Sequence, residues 1–382
     1  MNINKTKKKG VVYPESDKAI ILSKYDKVDA NRLFDVVFVT NTNRIERPYY
    51  DPSVRYRAFN PVNFLRRKGI KSIVVTQNVF EENYESFTTA ETIVFHRPRF
   101  SEVLARYVIK YKKRQTLVCD YDDLIFDVKA AADTPAVSDR NEDFTIISRN
   151  LAANAEIAAM FDYKSVSTQR LAEAANRCIG GESLVIHNGL TRTYVDMART
   201  IRKNRAGLDN LYSIGYFAGT ASHNEDFISI VPAIANFLEL SAKNTLFVAG
   251  PVFIPSTLDL FRNQIITTKV VTFYEMASLI SLCRMVIGPL IINEFNVCKS
   301  GLKFFEAGAL GVQVAATPIP DVDRFISPLL HKCTDVEQWA NAFLDNTALD
   351  FNILEQAAEA VCSEAALDKQ MSIWIDAFLG RN

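Results

Sequence analysis

The sequence has no excess of charge of either sign. Its 382 residues include 44 Lys and Arg against 44 Asp and Glu, which gives a formal net charge of zero. A chain built mainly to hold nucleic acid usually carries a basic excess, so the composition argues against that class. We therefore expect no nucleic-acid partner.

The sequence also lacks any apolar run of the roughly 18–20 residues that a transmembrane helix needs. Its basic start, MNINKTKKKG, is not followed by an apolar signal core. We interpret this start as a solvated tail, with weak contact to an anionic membrane surface as the alternative. The prediction is a cytoplasmic protein, either free or peripheral at the inner face of the cell membrane.

Patterns typical of structural zinc or disulfides are absent too. The six cysteines contain no C-x-x-C pair, and the four histidines contain no H-x-x-x-H spacing. This usage indicates reduced, mostly buried thiols in a cytosolic protein. It predicts no metal site.

What the sequence does contain is a steady alternation of short apolar runs and helical patterns, which is typical of parallel sheets built from βαβ units. The length suits two domains. A polar, basic segment at 191–210 interrupts the alternation, and we interpret it as the interdomain connection. The fold class is therefore α/β, with two Rossmann-like domains facing a cleft, residues 1–200 and 201–382. Strands are predicted at 34–40, 71–76, 92–95, 116–120, 165–167, 184–187, 212–217, 244–249, 269–273, 285–289 and 313–316. Helices are predicted at 57–68, 100–113, 143–160, 169–176, 226–240, 274–282, 301–310, 336–344, 352–366 and 369–379.

The most informative segment is 293–318, NEFNVCKSGLKFFEAGALGVQVAATP. Small residues precede a predicted helix, and the free N–H groups at such a helix start favour an anion. Lys299 adds a charge suited to a diphosphate, and Lys303 and Glu306 share one helix face. Glu306 can accept hydrogen bonds from two vicinal ribose hydroxyls. The alternative is a solvated Lys–Glu pair on an amphipathic helix.

Two further loops follow predicted strands, where open parallel sheets bind ligands. The segment 215–227, GYFAGTASHNEDF, can place backbone N–H groups near Gly219 and the Thr220 hydroxyl against a phosphate or sugar. The segment 118–127, VCDYDDLIFD, crowds Asp120, Asp122 and Asp123, so one carboxyl is expected to have a raised pKa and to be a candidate base. The alternative for this second loop is a structural set of turns and caps.

The segment 293–318 contains the pattern F-N-x-x-K-S-x-L-K-F-F-E-A-x-A-L-G. This pattern resembles the donor-binding segment of family-4-like GT-B glycosyltransferases (glycosyl transferases group 1), in particular those of bacterial surface polysaccharide synthesis. The loops 215–227 and 118–127 resemble segments of the same branch. One departure concerns Cys298, which stands where the family often has a glutamate that contacts the sugar. The resemblance implies that the nucleotide-sugar donor contacts Gly219, Thr220, His223, Lys299, Ser300, Gly301, Leu302, Lys303 and Glu306.

The resemblance extends to the first domain, which it makes the acceptor side. There it implies catalytic roles for Asp122, Asp123 and His96, of which Asp122 or Asp123 orients the acceptor. It implies contacts to an anionic donor or acceptor by Arg55, Arg57 and Arg97, and it sets residues 273–275 near the nucleotide base. It also implies that the final helices pack back toward the first domain.

The resulting prediction is a retaining glycosyltransferase with no cofactor and no required metal. It would move a hexosyl or deoxyhexosyl group from a nucleotide-diphosphate-sugar to a glycan or lipid-linked glycan in O-antigen or capsule-type synthesis. Other polysaccharide-assembly enzymes are further expected partners. One alternative is an inactive sugar- or partner-binding scaffold. Another treats the D-x-D at Asp120 and Asp122 as the metal site of a single-domain glycosyltransferase, or as a phosphatase nucleophile.

Overall fold

Two parallel β-sheets, joined in series along the chain, make up the framework. The computed structural model describes residues 21–22, 33–42, 51–220, 222–345 and 349–379. The first sheet has the strand order β1-β3-β2-β4-β5-β6-β7 and the second has the order β10-β9-β8-β11-β12-β13. The strands are β1 (Ile21–Leu22), β2 (Val36–Thr40), β3 (Ser72–Thr76), β4 (Thr92–His96), β5 (Thr116–Tyr121), β6 (Tyr163–Val166), β7 (Ser183–Val185), β8 (Tyr212–Phe217), β9 (Leu246–Ala249), β10 (Ile265–Thr268), β11 (Cys283–Gly288), β12 (Gln313–Ala316) and β13 (Leu330–Lys332).

Helices connect the strands and cover both faces of each sheet. The α-helices are α1 (Pro52–Val54), α2 (Asn60–Arg67), α3 (Gln77–Glu82), α4 (Glu102–Tyr111), α5 (Pro135–Ser138), α6 (Phe144–Ala159), α7 (Gln169–Cys178), α8 (Arg192–Arg205), α9 (Asn224–Ile228), α10 (Val231–Glu239), α11 (Phe273–Ile280), α12 (Leu302–Ala309), α13 (Pro320–Asp323), α14 (Val336–Leu344), α15 (Phe351–Glu364) and α16 (Leu367–Phe378). A π-helical stretch, Arg55–Phe59, joins α1 to α2. 3-10 helical segments occur at Tyr84–Phe87, Val128–Asp133, Ser256–Gln264 and Asn296–Cys298.

Strand β2 illustrates why the strands are almost continuously apolar. Val37 and Val39 pack into a core on one face of the first sheet, and Val36 and Phe38 pack into a separate core on the other. Side chains alternate across a strand, so a sheet covered on both faces needs apolar residues at every position. The second sheet is covered in the same way by two cores.

The predicted strands are confirmed except at 269–273. Strand β10 ends at Thr268, and Phe273 begins helix α11. The reason is a capping box, in which the Thr272 side chain accepts from the Glu275 N–H while the Glu275 carboxylate accepts from the Thr272 N–H. The helix predicted at 226–240 is two helices, α9 and α10, and the short strand β13 was not predicted.

The segment between the sheets contains helix α8, which packs on the second domain through Tyr194, Val195 and Ala198. The predicted boundary after residue 200 falls inside this helix. Of the last two helices, α15 packs with the second domain, whereas α16 crosses to the first. None of the helices in the described part of the chain combines the length and apolar character needed to span a membrane.

Helix α16 is fastened to the first sheet by its aromatic face. The Trp374 ring stacks on Phe38 with the centroids 5.6 Å apart, and the Thr92 hydroxyl donates to the Phe378 carbonyl at 2.9 Å. Trp374 is buried, while the adjacent Ile373 is 40% exposed. The predicted packing of the chain's end against the first domain therefore depends on this helix.

We predict that Trp374→Ala lowers the free energy of unfolding by about 3–5 kcal/mol, because it opens a cavity between α16 and the first sheet. Urea denaturation measures the change. Ile373→Ala on the same helix is the control and should change stability by less than about 1 kcal/mol. Equal effects of the two substitutions would show that α16 is not anchored through Trp374.

Candidate functional site

A line of polar residues crosses the carboxyl edge of the first sheet. Strand register places Thr76, Thr40, His96, Asp120 and Ser165 side by side on five neighbouring strands. All five are at most 4% exposed. Four of these side chains, all but Thr76, have hydrogen-bond partners, and they form a buried polar network where the loops of the first domain begin.

The predicted catalytic residues His96 and Asp122 meet in this network, and Ser53 joins them. The Ser53 hydroxyl donates to Asp122 Oδ2 at 2.5 Å and lies 2.9 Å from His96 Nε2. His96 Nε2 also lies 3.2 Å from Asp122 Oδ1, and His96 Nδ1 lies 3.1 Å from the Thr40 hydroxyl. A carboxylate only accepts, so Nε2 carries a proton, and the Thr40 hydroxyl then donates to Nδ1.

Asp122 is an anion in this setting. Burial acts to raise its pKa, but the Arg97 guanidinium and the His96 hydrogen bond outweigh burial and hold the pKa well below its usual range. Arg97 Nε donates to Asp122 Oδ1 at 2.6 Å, and Arg97 Nη2 donates to Asp123 Oδ2 at 2.7 Å. The expectation of a raised pKa in this acidic loop is therefore wrong for Asp122, because arginine neutralises the crowded charge. Asp122 can orient a hydroxyl but is a weak base.

Arg97 itself has a backbone conformation that favours glycine, with φ of 50°. Its N–H donates to the Asp120 carbonyl at 2.8 Å, which continues the ladder beyond the end of β4. Such conformations cost free energy and cluster at functional sites. This backbone conformation turns the Arg97 guanidinium back over the loop that carries Asp122 and Asp123.

Arg57 lies beneath the site and does not face the cleft. Its guanidinium donates to both Asp120 carboxylate oxygens, to the Ile186 carbonyl and to Asn188 Oδ1, and it is 5% exposed. All of its donors point into the first domain. Arg57 therefore has a structural role, in place of the predicted contact with an anionic donor or acceptor.

In the second domain, the start of helix α12 gathers positive charge. Lys299 Nζ lies 3.3 Å from Asp123 Oδ1 across the cleft. The Ser300 hydroxyl is buried and has no hydrogen-bond partner among the described residues. The Gly301 N–H, predicted as a free donor, instead donates to Asp321 Oδ2 at 2.7 Å. The N–H groups of Leu302 and Lys303 in the first turn have no acceptor one turn earlier in the helix.

Lys303 is the least compensated charge of this region. Its ammonium lies 5.2 Å from the centre of the Tyr216 ring, and no carboxylate in the described part of the chain forms an ion pair with it. Burial lowers its pKa to about 8; Asp226 and Glu306 partly oppose this shift, and Lys299 adds to it. A desolvated cation beside a second cation favours an anionic ligand.

His223 borders the same cationic region. Its Nδ1 lies 2.8 Å from Asp226 Oδ2, and burial together with the charges of Lys303 and Lys299 lowers its pKa to about 4 despite Asp226. His223 is therefore a neutral imidazole at pH 7. Asp226 also accepts from the Ile291 N–H at 2.8 Å, which ties the loop after β8 to the loop after β11.

Gly219 and Thr220 are exposed at the end of β8, where a Cβ added to Gly219 would lie 3.7 Å from Pro52 Cγ of the first domain. The neighbouring Gly250 has φ of +110°, and a Cβ there would lie 1.8 Å from the Ala218 carbonyl oxygen. Only glycine allows the loops after β8 and β9 to approach this closely.

Glu306 is enclosed at the other end of the cationic region. Its Oε1 accepts from the Tyr56 hydroxyl of the first domain at 2.5 Å, and its backbone carbonyl accepts from Tyr194. Burial raises the pKa of Glu306, against the opposing effects of Tyr56, Arg55 and Lys303. The guanidinium of Arg55 lies 4.1 Å from the centre of the Phe273 ring, so that ring is covered where a nucleotide base was expected.

Cys298 does not face the cleft. It is 3% exposed within the core of the first domain, and its carbonyl accepts from Thr168 of that domain at 2.8 Å. A carboxylate at this position would be buried against helix α7. The missing glutamate is thus explained by an interdomain contact.

The two aspartates of the D-x-D pattern have different arginine partners, Arg57 for Asp120 and Arg97 for Asp122. Within the described residues, no three His, Cys, Asp or Glu side chains are grouped so as to hold a metal ion. The metal-centred alternative lacks a ligand set here, and a single-domain enzyme leaves the second sheet unexplained.

Sequence reasoning missed Ser53, Tyr56 and Asp226. Ser53 and Tyr56 flank the arginines that drew attention to this segment, and only the tertiary structure reveals their partners. The sequence did offer a signal for Asp226, since it stands three residues after His223 at the start of a predicted helix, where the two side chains can meet. The site combines Asp122, Asp123, His96 and Arg97 from one domain with Lys299, Ser300, Lys303, His223 and Glu306 from the other.

No protein-family model matches the sequence, and no curated protein matches it. Solved structures do. Anabaena HepE in complex with UDP and glucose is 15% identical, with 91% of this chain and 100% of that chain covered at a TM-score of 0.60. Sucrose-phosphate synthase from Thermosynechococcus elongatus is 12% identical, with 91% and 100% covered at 0.60. An α,α-trehalose-phosphate synthase (UDP-forming) from Burkholderia xenovorans is 9% identical, with 90% and 99% covered at 0.58. The likeness confirms the predicted GT-B fold, two Rossmann-like domains facing a cleft.

We predict that Asp120→Asn lowers the free energy of unfolding by about 3–5 kcal/mol, because it leaves the Arg57 charge buried without a counter-ion. Chemical denaturation measures the change. Asp162→Asn, which breaks the exposed 3.1 Å pair with Lys112, is the control and should cost at most about 1 kcal/mol. A loss no larger than the control's would contradict the assigned role of Asp120.

Proposed function

We propose that this chain is a glycosyltransferase that moves a hexosyl or deoxyhexosyl group from a nucleotide-diphosphate-sugar to a glycan or lipid-linked glycan acceptor, with retention, in bacterial surface polysaccharide synthesis. The observation that carries the proposal is the Lys303 ammonium, half-buried and without a carboxylate ion-pair partner among the described residues, beside Lys299 at the start of α12. The GT-B fold adds support, since HepE was solved with UDP and glucose.

In this proposal the donor lies on the second domain. Lys299, Lys303, the Ser300 hydroxyl and the first N–H groups of α12 hold the diphosphate, and Glu306 holds the ribose. Cations and helix N–H groups placed where the leaving diphosphate gains charge lower the barrier to cleavage of the glycosidic C–O bond. No step requires a metal ion or a further cofactor.

The acceptor lies on the first domain in this proposal. Asp122, an anion held by Arg97 and Ser53, accepts a hydrogen bond from the attacking hydroxyl and orients it. Because its pKa is so low, Asp122 contributes position and not proton removal, and the departing phosphate takes the proton. His96, whose side chain is fully buried, holds Ser53 and Asp122 in place from beneath through its Nε2.

A second candidate is a scaffold that binds a nucleotide or a partner of a polysaccharide-assembly complex without turnover. It is favoured by Cys298, which is buried against α7 where the resembling family often has a sugar-contacting glutamate. Nucleotide binding without transfer to any acceptor would support this candidate over the enzyme.

We predict that a nucleoside diphosphate raises the melting temperature of the chain, and that its affinity falls as pH rises through about 8. Lys303 has a pKa of about 8, so its charge is present below that pH and is lost above it. A thermal-shift screen of the diphosphates UDP, GDP, ADP and dTDP and of the monophosphate CMP, with and without chelator, selects the nucleotide. At about 100 times its dissociation constant it should add roughly 2.7 kcal/mol of stability. Titration calorimetry from pH 7 to 9.5 then measures the affinity.

Lys303→Met tests the assignment directly, since methionine keeps an unbranched side chain without its charge. This variant should bind the nucleotide more weakly and lose most of the pH dependence. Lys243→Met, at an exposed lysine of the same domain, should match the wild type. If no nucleotide shifts the melting temperature, or if Lys303→Met binds as the wild type does, the proposed donor site is wrong.

We predict that Asp122→Asn reduces turnover by at least about tenfold and leaves the affinity for the nucleotide within about twofold, because Asp122 acts on the acceptor side. Sugar-nucleotide hydrolysis or transfer measures turnover, and calorimetry measures affinity. A parallel loss of both quantities would place Asp122 at the donor instead.

A further inference from the structure

Tyr56 of the first domain contacts the second domain at a residue assigned to the donor. Its hydroxyl donates to Glu306 Oε1 at 2.5 Å, although the two residues are 250 positions apart in sequence. Tyr56 is 3% exposed and Glu306 is 6% exposed. The contact is thus a buried, charge-assisted hydrogen bond between domains, of the strong class.

The backbone around Tyr56 explains how the first domain reaches so far. Residues 55–59 are π-helical, and the Asn60 N–H donates to the Arg55 carbonyl five residues earlier. Pro61 follows and has no N–H to offer to the Arg57 carbonyl, so the ordinary helical bond cannot form there. Arg55 and Tyr56 both pack on Phe273 of the second domain, while Arg57 turns into the first. π-Helical turns of this kind are frequent at functional sites.

The chemistry of the contact matches that of a ribose. A carboxylate holds a vicinal diol by accepting one hydrogen bond on each oxygen, and Tyr56 already occupies Oε1. A buried carboxylate without a donor is costly, so Oε1 can leave Tyr56 only for another hydroxyl. Each carboxylate oxygen has two acceptor sites. With both Tyr56 and Glu306 buried, however, a ribose hydroxyl reaches Oε1 only where the Tyr56 hydroxyl now lies, so the two compete for that place.

Lys299 shows the same relation to the first domain. Its ammonium, assigned to the diphosphate, lies 3.3 Å from an Asp123 carboxylate oxygen. Two of the three charged groups assigned to the nucleotide are thus engaged by first-domain groups of the chemical class that a nucleotide supplies, a hydroxyl at Glu306 and an anionic oxygen at Lys299.

We propose that Tyr56 is a positioning residue that sets donor affinity, because it competes with the ribose hydroxyls of the nucleotide for the Glu306 carboxylate. The inference rests on the proposed function, in which Glu306 binds the ribose. The aromatic ring keeps the cleft shape, and the hydroxyl alone carries the competition.

The test compares Tyr56→Phe with the wild type by calorimetry, using UDP, GDP, ADP and CDP, their 2′,3′-dideoxy analogues and inorganic pyrophosphate. Tyr56→Phe should bind the ribonucleoside diphosphate about tenfold more tightly, the effect of one hydrogen bond to a charged group. Binding of the dideoxy analogue and of pyrophosphate should stay within about twofold, because neither offers a hydroxyl to Glu306. A merely structural role of Tyr56 would affect all three ligands alike.

Two further variants complete the test. Tyr194→Phe is the matched control, since its hydroxyl donates to the Glu306 backbone carbonyl at 3.0 Å and not to the carboxylate. It should leave the ratio of ribo- to dideoxynucleotide affinity unchanged. In a Glu306→Gln background, Tyr56→Phe should no longer alter that ratio, because the competition concerns the carboxylate.

Unchanged or weaker ribonucleotide binding by Tyr56→Phe would overturn the inference, as would equal tightening for the dideoxy analogue. If the wild type binds none of these four diphosphates and none of the nucleotides of the thermal-shift screen, the proposed function itself fails. The two failures are therefore distinguishable.

Discussion

The buried ion pair between Arg57 and Asp120 fixes the two first-domain segments from which the cleft is built. Arg57 holds the π-helical stretch whose first two residues, Arg55 and Tyr56, reach the second domain. Asp120 is the last residue of β5 in register with β4, just before the loop that carries Asp122 and Asp123. A shift of either partner would leave a buried charge unpaired, so both segments have one low-energy position.

The two walls of the cleft differ in how their charges are paired. The first domain balances its carboxylates internally, with Arg97 bridging Asp122 and Asp123. The second domain leaves Lys303 without an ion-pair partner in the described part of the chain, and it borrows Asp123 for Lys299. The result is a wall of paired carboxylates that faces a wall with uncompensated positive charge. Under the proposed function, the first wall orients the acceptor hydroxyl and the second binds the diphosphate.

The sequence predicted the architecture well because burial of parallel sheets on both faces produces a local pattern, as β2 and β11 illustrate. It also located the second-domain groups, since Lys299, Lys303 and Glu306 lie within one short segment. It could not separate Arg57 from Arg55, because a π-helical turn decides which of them faces inward. Nor could it foresee that Arg97 would lower the pKa of Asp122, since that effect depends on a backbone turn with positive φ.

The central claim is that the cationic start of α12 holds a nucleoside diphosphate. A crystal structure of the chain with the nucleotide selected by thermal shift tests this most directly. The account predicts phosphate oxygens in contact with Lys299, Lys303 and the Ser300 hydroxyl, with a ribose hydroxyl on Glu306 in place of Tyr56. A nucleotide bound elsewhere, with the Tyr56–Glu306 hydrogen bond intact, would contradict it.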